Sequence, residues 1–248
     1  MPMSNQTSSF TEAEYYRMLS LAKSKFLFSS FQDPLEQENV VFWRHDVDFS
    51  LNRALALAQI ESDLDAQATY FIRTRGYTYS ILENSQKEII SKIATLGHTI
   101  GIHLEESDIK IHNQADLERA LERDVDLMSR ELHVDAKCFS FHNPNTFMLQ
   151  FNSERYLNLT NSYGKKFFED IEYVSDSNGY WRFKSLEEVL SNKDISRLQV
   201  LTHPEWWTPE AMQPAERLKR ALFGRARSNL KRHENELALT GRNSESEK

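Results

Sequence analysis

Residues 42–50 read FWRHDVDFS, and Val40 and Val41 stand just before them. Two valines, a phenylalanine and a tryptophan in a row predict a strand. That strand runs straight into Arg44, His45, Asp46 and Asp48. Charged groups are costly to bury without partners, so a core strand ending in them either delivers side chains to a site or ends as an exposed, solvated tip. His45 falls on the opposite strand face from Asp46 and reads as a structural residue.

The chain around this stretch separates the two readings. Ser50 is placed to cap a helix over 51–64, where Leu51, Leu55, Leu57 and Ala58 recur at roughly helical spacing. AQATYFI (66–72) then predicts a buried strand, and a helix over about 85–96 stops at Gly97. HTIGIH ends a strand at His103, residues 115–132 form an amphipathic helix, and AKCFSFH (136–142) is the next strand. A helix over 153–162, an extended 171–177, a helix over 184–192 and a strand RLQVLTH (197–203) complete the alternation. Such alternation predicts an α/β fold with a parallel sheet or barrel. Asp46 and Asp48, His103, His142, Asp176 and His203 fall at or just beyond the C-terminal ends of these strands, where parallel folds build their sites. Five strand ends collecting His and Asp favour a site over unrelated exposed tips.

Composition narrows the partners. With 248 residues, 40% of them hydrophobic, the chain can bury a sizeable core and reads as one domain. A formal net charge of −7 argues against bulk binding to nucleic acid or to an anionic membrane surface. Cys138, the single cysteine, lies in an apolar run and reads as a buried structural thiol, so no disulfide or thiolate zinc cluster is expected. The polar N-terminus and the lack of a long apolar run predict a soluble, cytoplasmic protein with no membrane span. Residues 1–10 read as disordered, and TEAE (11–14) as a capping box opening a helix to about Lys23.

At this point five motifs in order, HDVD, ATYF, GHTIGIH, FSFHNP and VLTHP, resemble the polysaccharide deacetylase family, the carbohydrate esterases with a NodB-homology domain. The resemblance covers roughly residues 38–207. It implies a distorted (β/α) barrel in a single domain, with 1–37 as a helical lead-in, 38–212 as the barrel, and 213–248 as a basic helix and disordered tail. It also implies a divalent metal, most often zinc, that removes acetyl groups from sugars. The substrate it implies is a small-molecule saccharide or sugar nucleotide, with surface-polysaccharide biosynthesis as the setting.

By the same resemblance Asp46 is the catalytic base and Asp48 a metal ligand, although Val47 separates two carboxylates that are usually adjacent, so the two roles can be exchanged. His103 matches the first of two ligand histidines, and Ser107 stands where the second would be. His142 is the first candidate to complete the set and His98 the second. His203 matches the late histidine that acts as general acid. Two histidines and a carboxylate suit a catalytic zinc site with a position left for water. Arg44 would hold Asp46 ionised.

Three residues keep two readings each at this stage. Asp176, in SDSNGYW, is a turn former or a contact supporting the site. Trp206, like Trp207, either packs or offers a flat ring to a sugar. The basic stretch 217–233 is a solvated helix or a contact for an anionic membrane or a nucleotide sugar. Against the deacetylase stands an alternative suggested by Ser107: a catalytically silent barrel that binds a saccharide or a partner enzyme.

Overall fold

A computed structural model describes residues 9–33, 38–105, 110–181 and 183–242. Its helices are α1 (Glu12–Lys23), α2 (Leu51–Asp63), α3 (Asn84–Thr95), α4 (Gln114–Leu132), α5 (Lys165–Phe168), α6 (Leu186–Ser191) and α7 (Pro214–Leu239). Its strands are β1 (Leu27–Ser29), β2 (Val40–Val47), β3 (Thr69–Ile72), β4 (Thr99–Leu104), β5 (Cys138–Phe141), β6 (Arg155–Tyr156), β7 (Leu159–Asn161), β8 (Glu172–Ser175) and β9 (Arg197–Thr202). They form one curled half-barrel sheet in the order β6-β7-β5-β4-β3-β2-β9-β8, with β1 beside the first half of β2. All neighbours are parallel except β6 and β7, and among the described residues the two outer strands do not pair, so the expected barrel is open.

The period-2 alternation of each strand sorts side chains between the helices and the inside of the curl. On β2 the outward set Val41, Trp43 and Val47 joins the large core shared with α1 and α2. Phe42 points inward and packs with Phe31, Phe71, Cys138 and Phe167 as a plug at the base of the half-barrel. Above the plug the inward positions turn polar, with Arg44, Asp46, Ser140 and His103 all buried. Burial pushes the Cys138 thiol up to about 12, so it behaves as packing.

Helix ends follow the sequence chemistry. Thr11 accepts from Glu14 N–H at 3.2 Å, and the Glu14 carboxylate accepts from the N–H of Phe10 at 2.8 Å, a capping box shifted by one residue. Ser50 accepts from the N–H of Arg53 at 3.3 Å, and Gly97, at φ 96°, closes the turn after α3. Two readings need correction. The predicted helix over 153–162 is the β6–β7 hairpin, because β7 pairs with β5 and Leu157 takes a positive φ of 54° in the tight turn. Pairing with a buried strand has overridden local propensity. Phe10, read as part of a disordered start, is buried against Trp181 and Trp207. Residues 1–8 and 243–248 lie outside the described residues. Among those described, no helix is long and apolar enough to cross a membrane.

Gly101 on β4 makes the plug possible. A Cβ there would stand 2.6 Å from the Phe71 ring and 3.0 Å from Cys138 Sγ. Neither neighbour has free space to move into, so Gly101→Ala is expected to destabilise the fold by about 1–3 kcal/mol through overpacking. A lower denaturant midpoint with an unchanged slope is the expected result, and an unshifted midpoint contradicts this packing account.

Candidate metal centre

The polar layer above the plug begins with Arg44, which has no exposed surface. Its guanidinium donates to Ser162 Oγ and, at 3.4 Å, to Asp46 Oδ2, and it lies over the Tyr163 ring at 4.7 Å. Burial opposes its charge, but the Asp46 carboxylate raises its pKa. Asp46 Oδ1 in turn accepts from Ser140 Oγ at 3.2 Å. A hydroxyl has one proton, so Ser140 then accepts from His103 Nδ1, 2.6 Å away. This chain places the proton of a neutral His103 on Nδ1 and leaves Nε2 as a bare lone pair.

That lone pair faces Asp48 Oδ1 at 3.1 Å, and His142 Nδ1 lies 3.0 Å from the same oxygen and 3.2 Å from His103 Nε2. Three donor atoms converge, with side chains from just past β2, from β4 and from just past β5. A zinc ion takes such N and O donors at about 2.0–2.2 Å, which sets atoms bound to one tetrahedral ion roughly 3.3 Å apart. The cluster therefore fits a divalent cation, and it has the donor set of a site that keeps a position open. Burial works against ionisation of Asp48, but the imidazoles of His103 and His142 close to its Oδ1 hold its pKa well below the usual carboxylate range.

Asp48, not Asp46, faces both histidines. Asp46 sits behind His103, its Oδ2 3.9 Å from Nδ1, with Arg44 and Ser140 as its other partners. His98 lies on the outer wall, where its Nδ1 accepts from Ala68 N–H at 3.2 Å and its Nε2 donates to Ala58 O at 2.9 Å. Both its nitrogens are used, so His142 completes the cluster. Ser107 lies outside the described residues. His45 is also on the outer wall, bound to Glu61 and, at 2.8 Å, to Thr202 Oγ1.

On the other side of Asp48 stands His203, its Nε2 4.0 Å from Asp48 Oδ2. Asp176 is a positioning group as well as a turn residue: it accepts from His203 N–H, from His203 Nδ1 at 2.7 Å and from Trp207 Nε1 at 2.9 Å. Burial alone would lower the His203 pKa, but the hydrogen bond and charge of Asp176, with Asp48 and Glu205, raise it to about 10. Trp206 is buried, with its ring close against Gly179, so packing accounts for it.

The residue reading missed Ser140, Arg73, Glu105 and Glu205. Ser140 lies two positions before His142 on one strand face, and Arg73 follows the β3 strand as the other site residues follow theirs. Arg73 donates to the Asp48 carbonyl at 3.3 Å and to the Glu105 carboxylate, bracing the turn that carries the ligand.

Two titrations check this electrostatic account. In chelator-treated protein Asp176→Asn is expected to lower the His203 pKa by at least about one unit, read by NMR of the ring protons. His203 is raised in the folded state, so its stabilising contribution is full below about 6.5. It is lost as pH rises through about 10. A His203 titration unmoved by Asp176→Asn contradicts the assignment.

No family model and no curated protein matches this sequence. Solved structures that it resembles include a Streptococcus pyogenes deacetylase in complex with acetate, at 13% identity over 84% of this chain and 85% of that one, TM-score 0.43. A family 4 acetyl xylan esterase from Clostridium thermocellum in complex with a cobalt ion is 13% identical over 76% and 84%, TM-score 0.45. A family 4 pseudoenzyme from Bacillus anthracis is 11% identical over 76% and 60%, TM-score 0.44.

Proposed function

We propose that this chain is a metal-dependent carbohydrate deacetylase acting on an acetylated amino sugar or sugar nucleotide. The observation that carries the reading is the convergence of Asp48 Oδ1, His103 Nε2 and His142 Nδ1 beside His203. Asp48, His103 and His142 would hold a divalent cation, and their nitrogen-rich set favours zinc. When bound, such a cation supplies Lewis acidity, polarising an acyl carbonyl and making water a better nucleophile.

The protein's own residues do the rest. Asp176 fixes the His203 proton on Nδ1 in the neutral ring, keeping Nε2 on the open side to take a proton or give one to a departing amine or hydroxyl. His203 would face any cation held by that cluster, which would lower its pKa from the raised value. Asp46 acts as a positioning residue: through Ser140 it sets the His103 tautomer, and Arg44 holds its carboxylate. This departs from the base role that the motif resemblance implies for Asp46, since its described contacts all lie behind His103.

Calorimetry with zinc and an acetate-release assay test both points. Wild type is expected to bind about one zinc with proton release, and Asp48→Ala, His103→Ala and His142→Ala to lose it, whereas His98→Ala keeps it. Asp46→Asn is expected to weaken zinc binding roughly 10–100-fold as a supporting residue does. If Asp46→Asn keeps full zinc affinity and loses only turnover, the base role stands instead. Acetate release from acetylated sugar nucleotides is the expected activity; zinc binding in no condition would favour the silent, saccharide-binding barrel.

A further inference from the structure

The basic helix α7 does not simply lie in solvent. Between it and the start of α2 is a cavity of about 290 Å³. Four arginines line it, Arg53, Arg217, Arg220 and Arg225, together with one acid, Glu205. In a chain of net charge −7 this is a local concentration of positive charge.

Two of the arginines are already neutralised: Arg53 pairs with Glu12 at 2.7 Å and Arg225 pairs with Glu83. Arg220 has no ion pair among the described residues. Arg217 is only 3% exposed, and its Nε and Nη1 have no hydrogen-bond partner among the described residues. Its Nη2 donates to Ser9 O at 2.9 Å, which fixes the side chain in place. A buried guanidinium with two idle donors at a cavity wall is costly unless a ligand accepts from it.

The start of α2 adds to this. Ser50 caps Arg53 N–H, and the N–H groups of Leu51 and Asn52 have no acceptor within the helix. The first turn of α2 carries no acidic residue, so the positive end of a 13-residue helix is unopposed. Against the four arginines, Glu205 is the single acid that lines the cavity.

We infer that this cavity binds a phosphoryl group, and that the group belongs to the sugar substrate. The link to the sugar rests on the deacetylase reading; the anion site does not. One residue, Phe49, separates the cluster ligand Asp48 from the helix cap Ser50, a span of at most about 7 Å along the chain. Both features lie at the C-terminal face of the sheet, where helix starts and strand ends meet. A cavity of this size, at the lower limit of the roughly 300–1,000 Å³ usual for ligand sites, takes a phosphoryl group and leaves the rest of a larger ligand outside it. Guanidinium groups and helix N–H groups are the usual partners of such an anion.

The test is calorimetric titration of the full chain with inorganic phosphate, an N-acetylhexosamine 1-phosphate and the same sugar without its phosphate. The phosphorylated sugar is expected to bind at least tenfold tighter than the plain one. Arg220→Gln, at an exposed position, should weaken both phosphate ligands at least fivefold, with zinc affinity and denaturation midpoint unchanged. Arg217→Lys, which keeps charge but loses the planar fork, should weaken them similarly. No phosphate binding by wild type, or affinities unchanged in Arg220→Gln, overturns the anion site. Equal affinity for the sugar with and without phosphate overturns its assignment to the substrate. Phosphate binding without zinc binding would leave the anion site standing and remove the deacetylase reading, and zinc binding without phosphate binding would do the reverse.

Discussion

A guanidinium with no exposed surface, that of Arg44, sits one layer above a plug of phenylalanines, and the polar interior is arranged around it. Removing one partner of such a buried pair typically costs about 3–5 kcal/mol, so its neighbours are not interchangeable. Asp46 answers the charge, Ser162 takes an N–H at the end of β7, and Tyr163 offers its ring. Satisfying one cation thus ties β2 to β7 across the half-barrel. It also engages one face of Asp46, which directs the other oxygen toward Ser140 and from there toward His103. The tautomer that leaves His103 Nε2 free is a consequence of a charge buried two residues before Asp46.

The order of layers was legible in the sequence for a simple reason. Strands that alternate every second residue and all run the same way bring their last inward positions to one rim, so polar residues after apolar runs had to meet there. Adjacent strands in the order β5, β4, β3, β2, β9 and β8 carry His142, His103, Arg73, Asp48, His203 and Asp176 within one residue of their C-terminal ends. The strand series, picked out by its His and Asp residues, pointed to every one of these but Arg73. What periodicity does not give is the partner on a different strand. Ser140 has no charge to draw attention, yet its single proton decides the state of His103. The β6–β7 hairpin escaped for a related reason: its short strands have neither length nor alternation, and only pairing with β5 makes them extended.

The outer face of the same strands shows why counting histidines misleads. His45 and His98 sit in motifs as suggestive as those of His103, but they meet a carboxylate from a helix. Glu61 on α2, fully buried, is approached by His45, His98, Tyr15 and Tyr70. Burial opposes its charge, and the histidines lower its pKa. This group fastens α1 and α2 to the back of the sheet, with Trp43 Nε1 donating to Tyr15 at 2.8 Å. One residue of strand register separates that structural role from the cluster side, since His45 and Asp46 are neighbours facing opposite ways.

The turn after β2 joins these levels. Asp48 leaves the strand as a cluster donor, its carbonyl held by Arg73 at 3.3 Å and by Thr78 Oγ1 at 2.6 Å, while Tyr79 holds the carbonyl of Val47 at 2.7 Å. Three hydrogen bonds to two successive carbonyls leave this backbone little freedom, which keeps the carboxylate in place without help from the ligand it would bind. Ser50, two residues on, starts a helix whose positive end faces α7. The carboxylate of the donor cluster and the positive end of α2 are therefore set a fixed short distance apart by one braced turn. On the proposed reading, a substrate that met a cation at the cluster with its acyl group would carry its phosphoryl group to the helix start, and the braced turn would set the distance between the two.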